Sequence, residues 1–389
     1  MAAVAEDVTG LVGKKKHEKR RSKQNEKRRK RRKWNVHSLL ESMDLQPTAS
    51  TLRTELSDTL LRLAGKTAKD SSGIVHIDWA SMPESLDMMY GGETARGKRR
   101  GKRKGDDKRQ ERKKRQCEAF AFAIAALHLP DGAIIVDFGC GSCGLTLPLA
   151  FHFPQYKFVG VDLKMGALEL MGQRAQVAQL ENVGVSCGTI EAYAGDFSLA
   201  ISLHACGTAS DAAIEQAVNR NMPYFVAPCC IGKVKFDMSM LPSLLLPTMV
   251  PKEGYVNRMS AAMPGIARCK DMTYPRSKWL SGHVQHVLEQ QYGVVETDKV
   301  DHHKMYADLA ASADYSCSFS SSSLAIDACT EDVISDRVFY ESSSAIIGMD
   351  RNKWAAEVGG YEVHLCTMPG LLTSAKSDIL IGWRKQEVL

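Results

Sequence analysis

Three glycines stand at short spacing between an apolar run and a segment typical of a helix. Asp137 lies near the end of the apolar run, and the sequence after it is Phe138-Gly139-Cys140-Gly141-Ser142-Cys143-Gly144. Glycine lets the backbone approach a ligand closely, and an acidic side chain at a strand end accepts hydrogen bonds from that ligand. A second acid, Asp162, ends the next apolar run, 23 residues after Gly139, where it is placed to bind the two hydroxyls of a ribose. The pattern predicts a nucleotide cofactor at this turn.

The elements that must position these acids alternate between strands and helices. Apolar runs typical of buried parallel strands lie at 134–138, 157–162, 183–190, 197–203 and 224–228, with helical patterns between them at 145–153, 165–178 and 211–220. A helix at 354–358 and two strands at 361–368 and 378–383, which are best paired antiparallel, follow near the end. We predict an α/β fold with a Rossmann-like, seven-stranded, mainly parallel sheet in the order 3-2-1-4-5-7-6 and helices on both faces.

Two kinds of cofactor fit this arrangement. A nicotinamide dinucleotide enzyme presents the same acid at the end of the second strand. Dinucleotide sites do not usually carry an aspartate so close before the first glycine, and the antiparallel strand pair near the end is more typical of methyltransferases. The pattern therefore favours a methyl donor over a nicotinamide.

Two further motifs carry a resemblance to a known family. They are Ser202-Leu-His204-Ala-Cys206-Gly207-Thr-Ala-Ser-Asp211 and Ala227-Pro228-Cys229-Cys230-Ile-Gly232-Lys233. Both resemble the methyltransferase domain of glutathione S-transferase C-terminal domain-containing proteins, which is related to the 2′-O-methyltransferase of the tRNA acceptor stem and to methyltransferase-like proteins. The resemblance runs from Ile77-Asp-Trp79 to Trp383, is poor over 237–345, and includes neither the basic run at 96–115 nor a glutathione-transferase-like domain.

The resemblance implies a class I methyltransferase fold with S-adenosylmethionine as its cofactor. It implies that Asp137, Phe138, Gly139, Gly141 and Gly144 surround the methionine part, Asp162 and Leu163 the ribose, and Thr189 and Ile190 the adenine. No acidic partner for the adenine is evident there. On the substrate side it implies His204, Cys206, Asp211, Cys229, Cys230 and Lys233. The ends of strands one, four and five are neighbours in this sheet order, so these residues are expected to face one edge.

The cysteines admit a second interpretation. Cys140, Cys143, Cys206, Cys229 and Cys230 would all lie near that edge, where thiolates can bind zinc. The Cys140-x-x-Cys143 pair, however, lies inside the glycine turn, and no second pair has zinc-finger spacing. We therefore predict buried, reduced thiols, no metal and no disulfides.

The positive charge of this 389-residue chain is concentrated in two stretches. Residues 14–33 carry +12 and residues 96–115 carry +10, whereas the net charge of the chain is +6, so the other residues carry −16. Few aromatic residues lie among these charges, so the runs would attract phosphates without reading bases. We expect RNA as the partner of both runs; a nuclear targeting signal and an inert solvated tail are the alternatives.

Composition also predicts the organisation of the chain. We expect a disordered basic tail at 1–35, a short helical and extended segment at 36–95, a basic linker at 96–116 and a methyltransferase domain at 117–389, with a variable region at 237–345. No apolar run of 18 residues and no signal-peptide core is present, which predicts neither membrane insertion nor secretion but an intracellular protein of the cytoplasm, the nucleus or both.

The sequence thus predicts an S-adenosylmethionine-dependent methyltransferase acting on RNA, with tRNA as one candidate. A protein or small-molecule methyltransferase is an alternative of the same class. A catalytically silent RNA-binding scaffold that keeps the fold is an alternative of a different class.

Overall fold

A computed structural model provides the structure of the protein. It describes residues 26, 30, 35, 37–43, 53–63, 75–87, 106–205, 207–228, 231, 234, 272–292, 299–313, 331–369, 371 and 377–384. Every structural statement below concerns these residues.

An eight-stranded sheet forms the centre of the fold. Its strands are β1 (Thr54–Glu55), β2 (Ile134–Phe138), β3 (Lys157–Asp162), β4 (Val183–Cys187), β5 (Leu199–Leu203), β6 (Tyr224–Ala227), β7 (Tyr361–Thr367) and β8 (Asp378–Arg384). They follow the order β1-β7-β8-β6-β5-β2-β3-β4, and β8 is antiparallel to both of its neighbours while the other pairs are parallel. The fold class is confirmed. The seven predicted strands have the predicted order, and the two-residue β1 adds an eighth strand beside β7.

Helices cover both faces of the sheet. They are α1 (Leu56–Leu63), α2 (Asp106–Ala126), α3 (Thr146–His152), α4 (Met165–Val177), α5 (Ala209–Asn219), α6 (Lys278–Tyr292), α7 (Lys299–Ala313) and α8 (Glu331–Gly359). Successive side chains of a strand point to opposite faces. Accordingly, Ile135 packs in the apolar cluster that includes α1 and α2, and Val136 packs in the cluster that includes α5 and α8.

The structure corrects the boundary of the predicted basic linker. Helix α2 begins at Asp106, so residues 106–115 are helical rather than part of a linker. The glycines that argued against a helix, Gly97, Gly101 and Gly105, all precede this start. Lysine and arginine are good helix formers, and no glycine or proline interrupts them from Asp106 onward.

The predicted tail boundary also changes. Asn35 is buried, and its side-chain amide donates to the Asp308 carboxylate at 3.5 Å. Residues 37–42 are helical, and Leu39 and Leu40 join an apolar cluster with α6, α7 and α8. The folded part therefore includes Asn35. The rest of the predicted tail, apart from Glu26 and Lys30, lies outside the described residues.

Helix α8 is much longer than predicted. It has 29 residues, whereas the sequence predicted a helix only at 354–358. Much of α8, together with α6 and α7, lies in the region predicted to be a variable insertion, and all three helices contribute to the buried cluster with Leu39 and Leu40. In the part of the chain that the structure describes, no helix is both long and apolar enough to cross a membrane.

Candidate functional site

The glycine turn connects β2 to α3 with an unusual backbone. Gly139 and Gly141 have φ of +77° and +55°, and Cys143 has φ of +63°, a conformation that costs a side-chain-bearing residue free energy. The amides of Gly139 and Cys140 both donate to the carbonyl oxygen of Val161, at 2.8 and 3.1 Å. A Cβ built on Gly141 would meet no atom within 4 Å, so the space beside Gly141 is open.

Asp162 closes this turn from the next strand. One carboxylate oxygen accepts the amide of Gly141 at 2.9 Å, and the other accepts the amide of Lys164 at 2.9 Å. A carboxylate oxygen has capacity for more than one hydrogen bond, so each can also accept a hydroxyl. Leu163, directly after Asp162, is an exposed apolar side chain. The arrangement suits a ribose with an apolar group beside it.

Asp137 lies at the end of β2 in a different environment. Its carboxyl is buried, and one oxygen accepts the hydroxyl of Thr146 at 2.6 Å. The other oxygen, Oδ1, has no hydrogen-bond partner among the described residues. The pKa of Asp137 is raised to about 7, mainly by burial; the hydrogen bond from Thr146 opposes this rise, and the charge of Asp162 adds to it. A cationic donor at Oδ1 would supply the missing hydrogen bond and favour the ionised form.

Phe138 has a packing role that the prediction did not give it. Its ring is buried and makes edge-to-face contacts with Tyr193 and Phe197, and its carbonyl oxygen accepts the hydroxyl of Ser202 at 2.7 Å. The side chain points into the core because neighbouring side chains of β2 alternate between the two faces. The Phe138 side chain therefore supports the turn from the core, and its contact with the cofactor stays a prediction. Gly144, half-buried, ends the turn.

The predicted adenine loop follows β4. The amide of Gly188 donates to the carbonyl of Asp162 at 3.1 Å, which holds Thr189 and Ile190 near the predicted ribose residue. The amide of Gln216 donates to the carbonyls of Ile190 and Glu191, at 2.8 and 2.9 Å. The sequence interpretation found no acidic partner for the adenine, and Glu191 stands directly after Ile190.

His204 directly follows β5, where the sequence predicts a substrate-side residue. It has φ of +68°, and its amide donates to the carbonyl of Ala227 at 3.1 Å. The next residue, Ala205, lies so close to the turn that a Cβ on Gly139 would be 3.5 Å from the Ala205 Cβ. The structure thus brings the loop after β5 beside the glycine turn, as the predicted sheet order requires. Cys206, Cys229, Cys230 and Lys233 lie outside the described residues.

Asp211, predicted on the substrate side, is enclosed in the structure by an ion pair. Its two carboxylate oxygens each accept a hydrogen bond from Arg351 at 2.9 Å, and one also accepts the hydroxyl of Tyr274 at 3.2 Å. Asp211 and Arg351 are 2% and 1% exposed, so the ion pair is enclosed. Arg351 also donates to the carbonyl of Gly207 at 3.0 Å. Position 211 lies in the first turn of α5 and faces inward, where it fixes the loop that His204 begins.

The described cysteines of the turn are packed thiols. Cys143 is buried, and its sulfur lies 3.5 Å from the carbonyl oxygen of Gly141. A hydrogen bond with Cys143 and burial raise the pKa of the Cys140 thiol, which favours its protonated form. The zinc interpretation also needs the three cysteines that lie outside the described residues.

A comparison with known families finds a match to one part of the chain. Residues 112–236, which include the glycine turn, Asp162 and the loop after β5, match the family model for a methyltransferase domain. These residues are similar to a methyltransferase domain.

Two known proteins are similar to part of this chain. A glutathione S-transferase C-terminal domain-containing protein homolog of Drosophila pseudoobscura pseudoobscura is 36% identical over 128 residues, which are 33% of this chain and 22% of that protein. The glutathione S-transferase C-terminal domain-containing protein of Homo sapiens is 26% identical over 159 residues, 41% of this chain and 23% of that protein. The chain therefore spans about a quarter of the length of these relatives or less.

Among solved structures, an rRNA methylase from Streptococcus thermophilus is 21% identical to this chain. The match covers 30% of this chain and 72% of the methylase chain, with a TM-score of 0.24.

S-adenosylmethionine is the cofactor that the sequence analysis predicts for such a domain. The residues of the site fit this cofactor. The unpaired oxygen of Asp137 would accept a hydrogen bond from the cofactor's ammonium group, the open space beside Gly141 would admit its methionine part, and the Asp162 carboxylate would accept its ribose hydroxyls.

Proposed function

We propose that the protein transfers a methyl group from S-adenosylmethionine to RNA. The observation that supports methyl transfer is the pairing of two strand-end carboxylates, Asp137 and Asp162, around a turn with open space beside Gly141. The bound cofactor would supply a methyl group on a positively charged sulfur. The nucleophilic oxygen or nitrogen of RNA would form a bond to the methyl carbon, and the carbon–sulfur bond would break with its electrons going to sulfur.

The chain's contribution to this reaction is mainly positioning. The acceptor must come within about 3 to 3.5 Å of the methyl carbon and in line with the breaking bond. His204, half-buried and next to the glycine turn, is the candidate that orients the acceptor or removes its proton. Its left-handed backbone conformation supports a functional role, because strained residues persist where the surrounding structure holds them and cluster at active sites.

A group of cations beside the glycine turn supports RNA as the substrate. Burial and the charges of Arg109, Arg112 and Arg174 lower the pKa of Lys113, with Asp87 opposing, so these cations lie close together. The Nε atom of Arg112 is buried and has no hydrogen-bond partner among the described residues. Like charges at helical spacing repel each other, and a bound phosphate chain would relieve that repulsion.

The position of these cations, close to the glycine turn, also supports RNA as the substrate. Arg174 donates to the carbonyl of Ser142 in the glycine turn at 2.5 Å, so the cluster begins at the cofactor site. Helix α2 rises about 1.5 Å per residue, so its cations from Lys108 to Lys113 extend over roughly 8 Å. The basic runs at 14–33 and 96–115 would add attraction that is independent of sequence. A tRNA substrate, and a location in the nucleus or the cytoplasm where RNA is modified, are finer parts of this proposal.

The test is methyl transfer from labelled cofactor into total RNA and total protein side by side, with the full-length chain. We expect label in RNA and none with Gly141→Val, because a branched side chain would occupy the open space and is strained at φ of +55°. Label in protein alone would overturn the RNA substrate, and failure of the wild-type chain to bind S-adenosylhomocysteine would overturn methyl transfer itself.

A charge reversal tests the role of α2. Arg109→Glu, on an exposed position of the cluster, is expected to lower RNA labelling and leave S-adenosylhomocysteine affinity unchanged. Lys157→Glu is the matched control, since Lys157 is exposed at the amino end of β3, the opposite edge of the sheet. Equal RNA labelling by the two variants would contradict a role of this cluster.

A further inference from the structure

Arg174 of α4 is a buried cation that holds three backbone carbonyls. It is 2% exposed, and its Nε, Nη1 and Nη2 atoms donate to the carbonyl oxygens of Ser85, Ser142 and Asp87, at 2.7, 2.5 and 2.8 Å. A guanidinium carries five donors in a fixed plane, so one arginine can hold several acceptors in a fixed relative position.

The three carbonyls belong to two segments that are far apart in sequence. Ser142 lies in the glycine turn, whereas Ser85 and Asp87 lie in and directly after a short 3-10 helix, Glu84–Leu86. Leu86 of that helix is fully buried, and it packs in one apolar cluster with Cys143, Leu147 and Met171. The 84–87 segment therefore packs against the glycine turn, and Arg174 donates hydrogen bonds to both.

The turn needs such support because its backbone is strained. Cys143, the residue after Ser142, is a non-glycine residue with φ of +63°. Residues held in this region persist only where the surrounding structure enforces them. The carbonyl before Cys143 is bonded by Arg174, and the Cys143 side chain is enclosed by Leu86 and its neighbours. Arg174 and the 84–87 segment, which are bonded to each other, therefore supply both restraints on Cys143.

We propose that Arg174 is a positioning residue of the cofactor site and that the 84–87 segment is a built-in part of that site. Through these bonds the glycine turn holds its binding conformation before the cofactor arrives. A protein whose competent conformation is only partly populated binds its ligand more weakly by that fraction. This inference rests on the proposed function in one respect, which is that the cofactor is S-adenosylmethionine.

The test is the affinity of full-length variants for S-adenosylhomocysteine, measured by calorimetry beside thermal unfolding. Arg174→Met removes all three hydrogen bonds and is expected to weaken binding about tenfold or more, as when the competent turn falls to a tenth of the population. Arg174→Lys, which keeps the charge but not the planar donors, should recover part of that loss. Saturating cofactor should restore the kcat of Arg174→Met, so that the defect appears in the KM for the cofactor.

The chain offers a matched control for a purely structural role. The side-chain amide of Asn182 also donates to three carbonyls, those of Ala150, Phe153 and Tyr156, but at the amino edge of the sheet, away from the turn. Asn182→Ala should lower the unfolding temperature and leave the affinity within about twofold of wild type, which is less than 0.5 kcal/mol at RT ln 2.

Two outcomes separate the inference from the proposed function. If the wild-type chain binds S-adenosylhomocysteine and Arg174→Met binds it equally well, the positioning role is wrong and the proposed function stands. If the wild-type chain does not bind it, the proposed function fails. Should Arg174→Met not fold, Leu86→Ala loosens the 84–87 segment from its buried side, and unchanged affinity in that variant would overturn the inference.

Discussion

Two carboxylates at neighbouring strand ends, Asp137 and Asp162, differ in the hydrogen bonds that they already accept from the protein. Asp162 is half-exposed and bonds two backbone amides, and Asp137 is buried with one oxygen unpaired among the described residues. Both positions were predictable from sequence because an acid at the end of an apolar run is visible there. The hydrogen bonds of Arg174 and Arg351 were not predictable, since their partners lie 32 to 144 residues away.

Asp162→Ala is expected to weaken S-adenosylhomocysteine binding without unfolding the protein. A hydrogen bond to a charged group contributes roughly 1.5 to 3 kcal/mol, and the variant loses those to the ribose and the one that holds Gly141. Calorimetric titration measures the affinity, and Asp162→Asn serves as a control that keeps one side-chain acceptor. Wild-type affinity in the alanine variant would show that Asp162 does not contact the cofactor.

Cofactor affinity is expected to rise with pH because of Asp137. Its pKa is about 7 in the free protein, with burial as the main cause, and a cationic ammonium group binds best to the ionised form. Below that pKa, each unit of pH should weaken binding about tenfold, since the fraction of ionised carboxylate falls tenfold. Titrations from pH 5.5 to 8.5 measure this slope.

Asp137 has the opposite effect on the stability of the cofactor-free protein, which is expected to fall as pH rises. The folded state keeps the Asp137 proton to higher pH than the unfolded state does, so its contribution to stability is present at low pH and is lost as pH rises from about 3.8 to about 7. Asp137→Asn removes the titration and should flatten both curves. A pH-independent affinity in the wild-type protein would contradict a contact between Asp137 and the ammonium group.

At the scale of elements, α8 shows what periodicity does not reveal. Three successive buried residues of α8 each bond a different element: Asp350 accepts the amides of Arg276 and Ser277, Arg351 bonds Asp211, and Asn352 accepts the hydroxyl of Tyr224 at 2.8 Å. A helix enclosed by polar contacts shows no apolar stripe, so only its end was predicted. The strands were predicted well because buried parallel strands are continuous apolar runs.

Arg351→Met is expected to destabilise the protein by about 3 to 5 kcal/mol, since it leaves the buried Asp211 carboxylate without its partner. The free energy of unfolding in urea measures this loss. Asp211→Leu combined with Arg351→Met should recover much of it, because no buried charge remains. A cost below about 1 kcal/mol in the single variant, the range of exposed pairs, would contradict an enclosed ion pair.

At the scale of the whole molecule, the two basic runs are strongly positive and the remaining residues carry a net negative charge. The two basic runs carry +22 and the remaining residues carry −16. Without RNA, the acidic remainder and the runs attract each other over about 8 Å at physiological salt. RNA must therefore compete with the protein's own acids for these cations, and the first run should affect RNA binding more strongly at low salt than at high salt.

Deleting residues 1–33 is expected to weaken RNA association and flatten its salt dependence while cofactor affinity stays unchanged. The deletion stops before Asn35 because that residue is buried and bonds Asp308. Each phosphate of a single strand that is neutralised contributes about −0.7 to the slope of log affinity against log salt. If six of the 14 Lys and Arg of the run engage phosphates, the slope should fall by about 4. Fluorescence anisotropy at several salt concentrations measures this slope, and a chain of unchanged length with serine in place of those 14 residues separates the effect of charge from that of chain length.

Identical slopes for the wild-type and shortened chains would mean that the run does not bind RNA. Nuclear import of a reporter fused to residues 1–33 would then distinguish a targeting signal from an inert tail.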